Sequence, residues 1–182
     1  MKIKKFTLLC KYREKKLENK DLIFENRFEY MKIALREAEK AGDIGEVPVG
    51  ALIVSPNGKI LAKAYNLVEK KKNSLFHAEM LAIQKAMKKV GEKYLMKCSM
   101  FVTLEPCPMC ATAISLAKIG NLYFGGFDVK GGAVVNGVRL YENAKNLFKP
   151  KVFGGICEEE AKSMLKMFFK ELREKKNKKL EN

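Results

Sequence analysis

The feature that most constrains this chain is a pair of cysteines, Cys107 and Cys110, which follow a mostly apolar segment. Side chains three residues apart lie on one face of a helical turn, so the two sulfur atoms can approach the same ligand. The chain contains a single histidine, His77. If these thiols bind a metal together with one imidazole, that imidazole must be His77. Three protein ligands leave one position open for water, which is the arrangement of catalytic rather than structural zinc.

Both parts of this candidate site lie where a helix is expected to begin. Residues 78–87 have helical apolar periodicity, and Glu79 stands two residues after His77. Side chains two apart do not face each other along a helix, so these two can share a site only at its N-terminal end. Pro108 suits the first turn of a second helix, and a helix N-terminus favours the thiolate form of a nearby cysteine. The sequence therefore predicts two helix starts that meet at one ion.

A pair of cysteines with this spacing also occurs in two other kinds of site. In a cytosolic α/β protein it can be a redox dithiol or one half of a structural zinc site. A redox dithiol does not need the His-Ala-Glu segment, and a closed zinc site needs a fourth protein ligand. The remaining cysteines lie in unrelated segments. If His77, Cys107 and Cys110 bind zinc with water as the fourth ligand, the metal would lower the pKa of that water to roughly 7.

The cysteine count and the hydropathy pattern bear on location. Five cysteines, an odd number with one close pair, favour a reducing compartment and metal binding over a disulfide framework. No apolar run approaches the roughly 18 residues needed to cross a bilayer. The apolar stretch at residues 6–10 is too short for the core of a signal peptide. We therefore expect a cytoplasmic protein with no membrane association.

The formal net charge of +15 is concentrated at the two ends of the chain. Residues 1–20 contain eight basic and two acidic residues, and residues 162–182 contain eight basic and three acidic residues. Basic segments of this kind are an electrostatic footprint for a phosphate backbone. A coding bias toward lysine, with solvated tails, would give the same composition. We favour nucleic-acid binding, which would weaken as salt is added.

Periodicity and turn signals predict a three-layer α/β/α domain with a mixed five-stranded sheet. A helix over residues 25–41 should end at Gly42 and place Phe28 on its apolar face. A hairpin should precede alternating strands and helices. Residues 1–23 are predicted to be a mobile basic extension, and residues 24–182 a single domain. Strands are expected near residues 49–54, 59–65, 100–104, 121–125 and 151–153, and further helices after His77 and near residues 109–119, 138–146 and 158–176.

The His-Ala-Glu segment and the Pro-Cys-x-x-Cys segment together resemble the signature of the zinc-dependent cytidine and nucleobase deaminase superfamily. Within that superfamily the chain resembles the bacterial tRNA-specific adenosine deaminases, which convert the wobble adenosine to inosine. The resemblance extends over about residues 28–175. It rests on residues 46–51, 66, 77–80, 102–107, 124–131 and 168–169.

The resemblance implies roles for particular side chains. Glu79 would be catalytic: it would carry protons between the attacking water and the purine without binding the metal. Asn66 would hydrogen-bond the substrate nucleoside, and Asp128 and Lys130 would lie over the extruded nucleotide. Glu105, beside the cysteines, is expected to be a structural hydrogen-bond acceptor rather than a second catalyst.

The last helix should add an RNA contact. Phe168 and Phe169 stand among basic residues there, and adjacent side chains cannot both face one direction. One ring is therefore expected in the core and the other in contact with RNA, where stacking on a base stabilises by about 1–3 kcal/mol. The partners implied by the resemblance are a tRNA anticodon stem-loop and a second copy of the chain in a homodimer, with one Zn²⁺ in each subunit.

The implied activity is hydrolytic deamination of adenosine to inosine at the wobble position of the tRNA anticodon. One alternative is a deaminase of a free base or nucleoside, of the guanine or cytosine type, which would share every zinc residue. Another is a zinc module that binds RNA without catalysis. Glu79 discriminates the last of these, because only the enzyme needs it.

Overall fold

The computed structural model describes residues 22–180. The helices are α1 (Arg27–Asp43), α2 (Val68–Lys71), α3 (Ala78–Val90), α4 (Pro108–Leu116), α5 (Leu140–Asn143) and α6 (Glu158–Leu180). The strands are β1 (Gly50–Val54), β2 (Ile60–Tyr65), β3 (Ser99–Leu104), β4 (Asn121–Gly126) and β5 (Lys151–Phe153). They form one sheet in the order β2-β1-β3-β4-β5. Strand β1 is antiparallel to β2 and β3, whereas the pairs β3–β4 and β4–β5 are parallel. The predicted mixed five-stranded sheet is confirmed.

Helices cover both faces of this sheet. Strand β1 is buried along its whole length, and its side chains alternate between two core clusters. Ala51 and Ile53 pack in a cluster with α3 and α4, while Leu52 and Val54 pack in a cluster with α1 and α6. Alternation with a period of two sends successive strand residues to opposite faces. Strand β1, which lies between β2 and β3, is therefore apolar throughout, as expected for a strand covered on both faces in a three-layer α/β/α domain.

Helix α1 approaches the start of β1 unusually closely. A Cβ atom at Gly50 would lie 2.1 Å from the carbonyl oxygen of Ala34 and 2.6 Å from the amide nitrogen of Ala38. The amide of Gly50 donates to the hydroxyl oxygen of Thr103 on β3, at 3.1 Å. Only glycine allows this approach, which fixes the segment before β1 against the end of β3.

The structure corrects the predicted bounds of α1. The helix does not end at Gly42 but continues to Asp43, and the turn after it forms at Gly45, where φ is +79°. Phe28 is 45% exposed and does not lie on the buried face, which is centred on Met31 and Ala34. Its ring instead lies beside the guanidinium group of Arg27, at 4.6 Å.

Two other helices differ from their predictions. Helix α4 ends at Leu116, because Lys118 adopts a left-handed conformation with φ of +54° before Gly120 is reached. The short helix α2 has no counterpart among the helices predicted above. It borders the functional site described below.

Most of the predicted N-terminal extension, residues 1–21, lies outside the described residues. Its last two residues are helical, and Ile23 packs in the same core cluster as α1. Between residues 22 and 180, no helix is long and apolar enough to span a bilayer.

Candidate zinc site and substrate pocket

The metal-binding candidates lie at two helix starts at the same end of the sheet. His77 precedes α3 and Cys107 precedes α4, each with an extended backbone. Strand β3 leads directly into the Cys107 turn. The Nδ1 atom of His77 lies 3.8 Å from the Sγ atom of Cys107 and 3.6 Å from that of Cys110. The predicted convergence of two helix starts is therefore observed.

These distances fit a zinc ion. Zinc binds sulfur at about 2.3 Å and imidazole nitrogen at about 2.0–2.1 Å, so tetrahedral geometry separates nitrogen from sulfur by about 3.5 Å. The three ligand atoms all lie within 4.8 Å of one another, and no other such group occurs in residues 22–180. Two thiolates and a neutral imidazole form a ligand set suited to Zn²⁺. Both sulfurs face Nδ1, so we expect that nitrogen to bind the ion.

The two thiols contact each other, and this contact shifts their pKa values in opposite directions. The hydrogen bond from the Cys110 thiol, and next to it the contact with His77, lower the pKa of Cys107 to about 4 despite partial burial. The same hydrogen bond to Cys107, together with burial, raises the pKa of Cys110. The hydrogen bond to Cys107 also raises the pKa of His77. The thiolate is the metal-binding form of cysteine, so zinc binding releases thiol protons.

Glu79 lines the same pocket as His77 and Cys107, a cavity of about 270 Å³, but does not belong to the group of metal ligands. Its side chain is in the first turn of α3 and only 4% exposed. Burial raises the pKa of this carboxyl group. A buried carboxyl group beside the reacting atoms can accept a proton in one step and donate it in another.

Asn66 also lines the cavity, where Glu46 holds it in place. The sequence patterns assign no role to Glu46. The Nδ2 atom of Asn66 donates to Oε2 of Glu46 at 3.0 Å, and the backbone amide of Lys70 donates to Oε1 at 2.7 Å. Glu46 itself borders the cavity. In the sequence, Glu46 precedes an apolar strand and belongs to no periodic pattern. Only its place in the 46–51 segment of the family resemblance indicated that it matters.

The glycine-rich segment over the cavity is held by Glu105. One carboxylate oxygen, Oε1, accepts from the backbone amides of Val134, Val135 and Asn136 at 2.8–3.1 Å. The other accepts from the Asp128 amide at 3.1 Å and from the Asn136 side chain at 2.6 Å. Burial alone would raise the pKa of Glu105, but these hydrogen bonds lower it overall. The expected structural role of Glu105 agrees with this network.

The other candidates for substrate binding are placed differently. Asp128 lines the cavity, and its Oδ1 atom accepts from the backbone amides of Lys130 and Gly131. The Lys130 side chain is exposed and does not line the cavity. Phe168 is half-buried and Phe169 is exposed on α6, with edge-to-face rings 5.4 Å apart, also outside the cavity. Roles for these side chains remain predictions.

The fold and the ligand group define a class of protein. A family model described as the cytidine and deoxycytidylate deaminase zinc-binding region matches residues 25–126. The two cysteines, the histidine and the glutamate all fall within that match. Zinc-dependent hydrolytic deaminases are therefore the class to which this fold and site correspond.

Similar proteins of known name identify the family within this class of deaminases. A tRNA-specific adenosine deaminase of Bacillus subtilis is 46% identical over 81% of this chain and 91% of its own length. That of Aquifex aeolicus is 44% identical over 79% of this chain and 94% of its own length. The chain belongs to the tRNA-specific adenosine deaminase family. It is an enzyme that requires zinc, as predicted.

Solved structures agree with this assignment. One, from a study of A-to-I editing by tRNA:A34 deaminases at the wobble position, has a TM-score of 0.73 and 40% identity. The aligned region covers 75% of this chain and 99% of the chain in that structure. A guanine deaminase from Nitrosomonas europaea has a TM-score of 0.66 at 19% identity, covering 76% of this chain and 82% of that chain. At that identity the likeness concerns the fold alone.

Proposed function

We propose that this enzyme converts adenosine to inosine at the wobble position of a tRNA anticodon. The observation that carries the proposal is that Glu79 and Asn66 line the same cavity as His77 and Cys107, two members of the candidate zinc group. The relatives' substrate, the wobble adenosine of tRNA, supports the choice of RNA over a free base. Bases of an anticodon loop are already unpaired, so moving one into the cavity costs little.

The chain's own residues would divide the work as follows. His77, Cys107 and Cys110 would hold the zinc ion, which supplies Lewis-acid activation of the attacking water. Glu79 would take a proton from that water and deliver it to N1 of the purine, beside the attacked C6. It would then pass the second proton of that water to the amine, which leaves as ammonia when the C6–N bond breaks. Asn66 would hold the nucleoside in the orientation that this transfer requires.

The test is deamination of an anticodon stem-loop with adenine at the wobble position, beside free adenosine, guanine and cytosine. We expect inosine in the RNA and no ammonia from the free compounds. The Glu79→Gln variant should lose at least about 100-fold in kcat, because general acid–base catalysis contributes that much, while it keeps zinc and RNA binding. Ammonia from a free base alone would contradict the RNA substrate, and an active Glu79→Gln variant would contradict the role of Glu79.

We also propose a homodimer in the cytoplasm, where its tRNA substrate is found. Exposed apolar side chains near the end of α4 support self-association: Leu116 is 66% exposed. Phe148, whose carbonyl accepts from the Ser115 hydroxyl, is also exposed. Sedimentation equilibrium should give a dimer for the wild type and a monomer for Leu116→Glu. A monomeric wild type at micromolar concentration would contradict the proposal.

A further inference from the structure

One buried carboxylate at the cavity has no part in the chemistry described above. Glu46 is 1% exposed, and none of the ion pairs within residues 22–180 includes it. Burying an ionised carboxylate without a cation is costly unless hydrogen-bond donors surround it. The donors that Glu46 receives therefore indicate what it is there to hold.

Each oxygen of this carboxylate holds a different part of the cavity. Oε2 accepts from the side-chain amide of Asn66, one residue beyond β2. Oε1 accepts from the backbone amide of Lys70 in α2, the short helix whose Val68 borders the cavity. A single buried group thus links the wall of the cavity to its rim.

The contact fixes the direction of the Asn66 amide. Both oxygens of Glu46 act as acceptors, one from Nδ2 of Asn66 and the other from the Lys70 amide, so the NH₂ group of Asn66 faces Glu46. Within residues 22–180, no hydrogen bond to Oδ1 of Asn66 is formed, and no buried side-chain oxygen or nitrogen lacks a partner. Oδ1 is therefore accessible, and the cavity that Asn66 lines is the space open to it.

We propose that Glu46 is a positioning residue for substrate recognition. It holds the Asn66 amide with the carbonyl oxygen toward the cavity, where that oxygen accepts a hydrogen bond from an amine or hydroxyl of the bound nucleotide. The inference rests on the proposed function, since it assigns the group that orients one of its substrate contacts. A nucleotide without a donor at this point would leave the oxygen unpaired and bind less well.

The first test is the Glu46→Gln variant. The new side chain can still accept from the Lys70 amide, but its NH₂ group then faces Asn66. The Asn66 amide must rotate and present NH₂ to the cavity in place of oxygen. We expect KM for the anticodon stem-loop to rise at least about tenfold, with zinc content unchanged. A wild-type KM in this variant would overturn the proposal.

A second variant restores the oxygen. In Glu46→Gln combined with Asn66→Asp, the glutamine NH₂ donates to one aspartate oxygen while the other faces the cavity. We expect KM to return to within about threefold of the wild type. Asn66→Asp alone places two carboxylates side by side and should be as impaired as Glu46→Gln. A merely structural role for Glu46 predicts no such recovery, and a double variant no better than the single ones would overturn the proposal.

A third comparison does not require the variant that combines Glu46→Gln with Asn66→Asp to fold. In an Asn66→Ala background no amide is left to orient, so adding Glu46→Gln should not raise KM further. An equal rise in KM on adding Glu46→Gln to the wild type and to Asn66→Ala would overturn the proposal. Glu37→Gln is the matched control, because Glu37 is also buried but bonds Lys40 and Lys63 away from the cavity. It should leave KM unchanged.

Failure of the proposed function is distinguishable in the same assay. If the wild type deaminates a free base and not the RNA, the wobble substrate is wrong. The variant series is then measured with that base. Coupling between positions 46 and 66 supports the positioning role, and its absence overturns it.

Discussion

At the scale of single residues, Glu105 shows how one carboxylate can organise a substrate-facing segment. It accepts hydrogen bonds from four backbone amides and one side-chain amide of residues 128–136. These residues form neither helix nor strand. Residues 134–136 donate three consecutive amides to a single oxygen, a concave arrangement suited to an anion. A neutral side chain could not satisfy these donors. Since Asp128 belongs to the same segment, Glu105 determines where it lies over the cavity.

We expect Glu105→Gln to lower the free energy of unfolding by about 1–3 kcal/mol, because the new NH₂ group leaves the donors of Asp128 and Asn136 unpaired. Urea denaturation of the zinc-loaded protein measures this change. Glu142→Gln is the control, since Glu142 is exposed and forms only a long ion pair with Arg139 at 3.9 Å. A change within about 0.5 kcal/mol for both variants would show that the network adds little to stability.

At the scale of elements, the approach of α1 to β1 depends on the absence of a side chain at Gly50. Glu46 lies between these two elements, so their contact determines where its carboxylate stands. Gly42, inside α1, offers the opposite case. A Cβ atom there would meet only Pro48, at an ordinary distance of 3.7 Å.

The two glycines therefore predict opposite effects on stability. Gly50→Ala forces a methyl group against the backbone of α1 and should cost about 1–3 kcal/mol or more. Gly42→Ala removes the flexibility of glycine inside a helix and should stabilise the protein by about 0.4–1 kcal/mol. Midpoints of urea unfolding for the two variants measure both effects. Loss of stability in Gly42→Ala, or tolerance of Gly50→Ala, would contradict the packing described.

At the scale of the whole molecule, charge is the property that a large RNA partner would sense. Exposed lysines extend along the second half of α6, and residues 1–20 carry a further formal charge of +6. Phosphate contacts release counterions, so affinity depends on salt in proportion to their number.

Deleting residues 1–20 lowers the formal net charge from +15 to +9. If that segment binds the RNA, the slope of log K against log salt should fall by about 0.7–0.9 for each phosphate that the segment neutralises. The kcat at saturating RNA should stay unchanged, because the zinc ligands and Glu79 remain. Filter binding at several salt concentrations measures the slope, and an unchanged slope would show that the segment neutralises no phosphate.

The sequence alone determined the candidate metal ligands, the family and the order of most elements. With one histidine and one closely spaced cysteine pair, the candidate ligand set had no competitor. Helix starts, buried strands and turns are local properties, so patterns of three to six residues were enough to predict them. For the same reason, the strand after Gly120 and the helix start at Glu158 agree with the structure.

Only the tertiary structure decided which polar groups meet. Glu46 and Asn66 are 20 residues apart, and Glu105 and the 134–136 amides are 29–31 apart. A buried acid has no periodic signal that names its partner, because the partner is supplied by the packing of distant elements. The exposure of Phe28 has the same origin: local spacing predicted that it lies on the apolar face of α1, but the position of the sheet leaves it exposed.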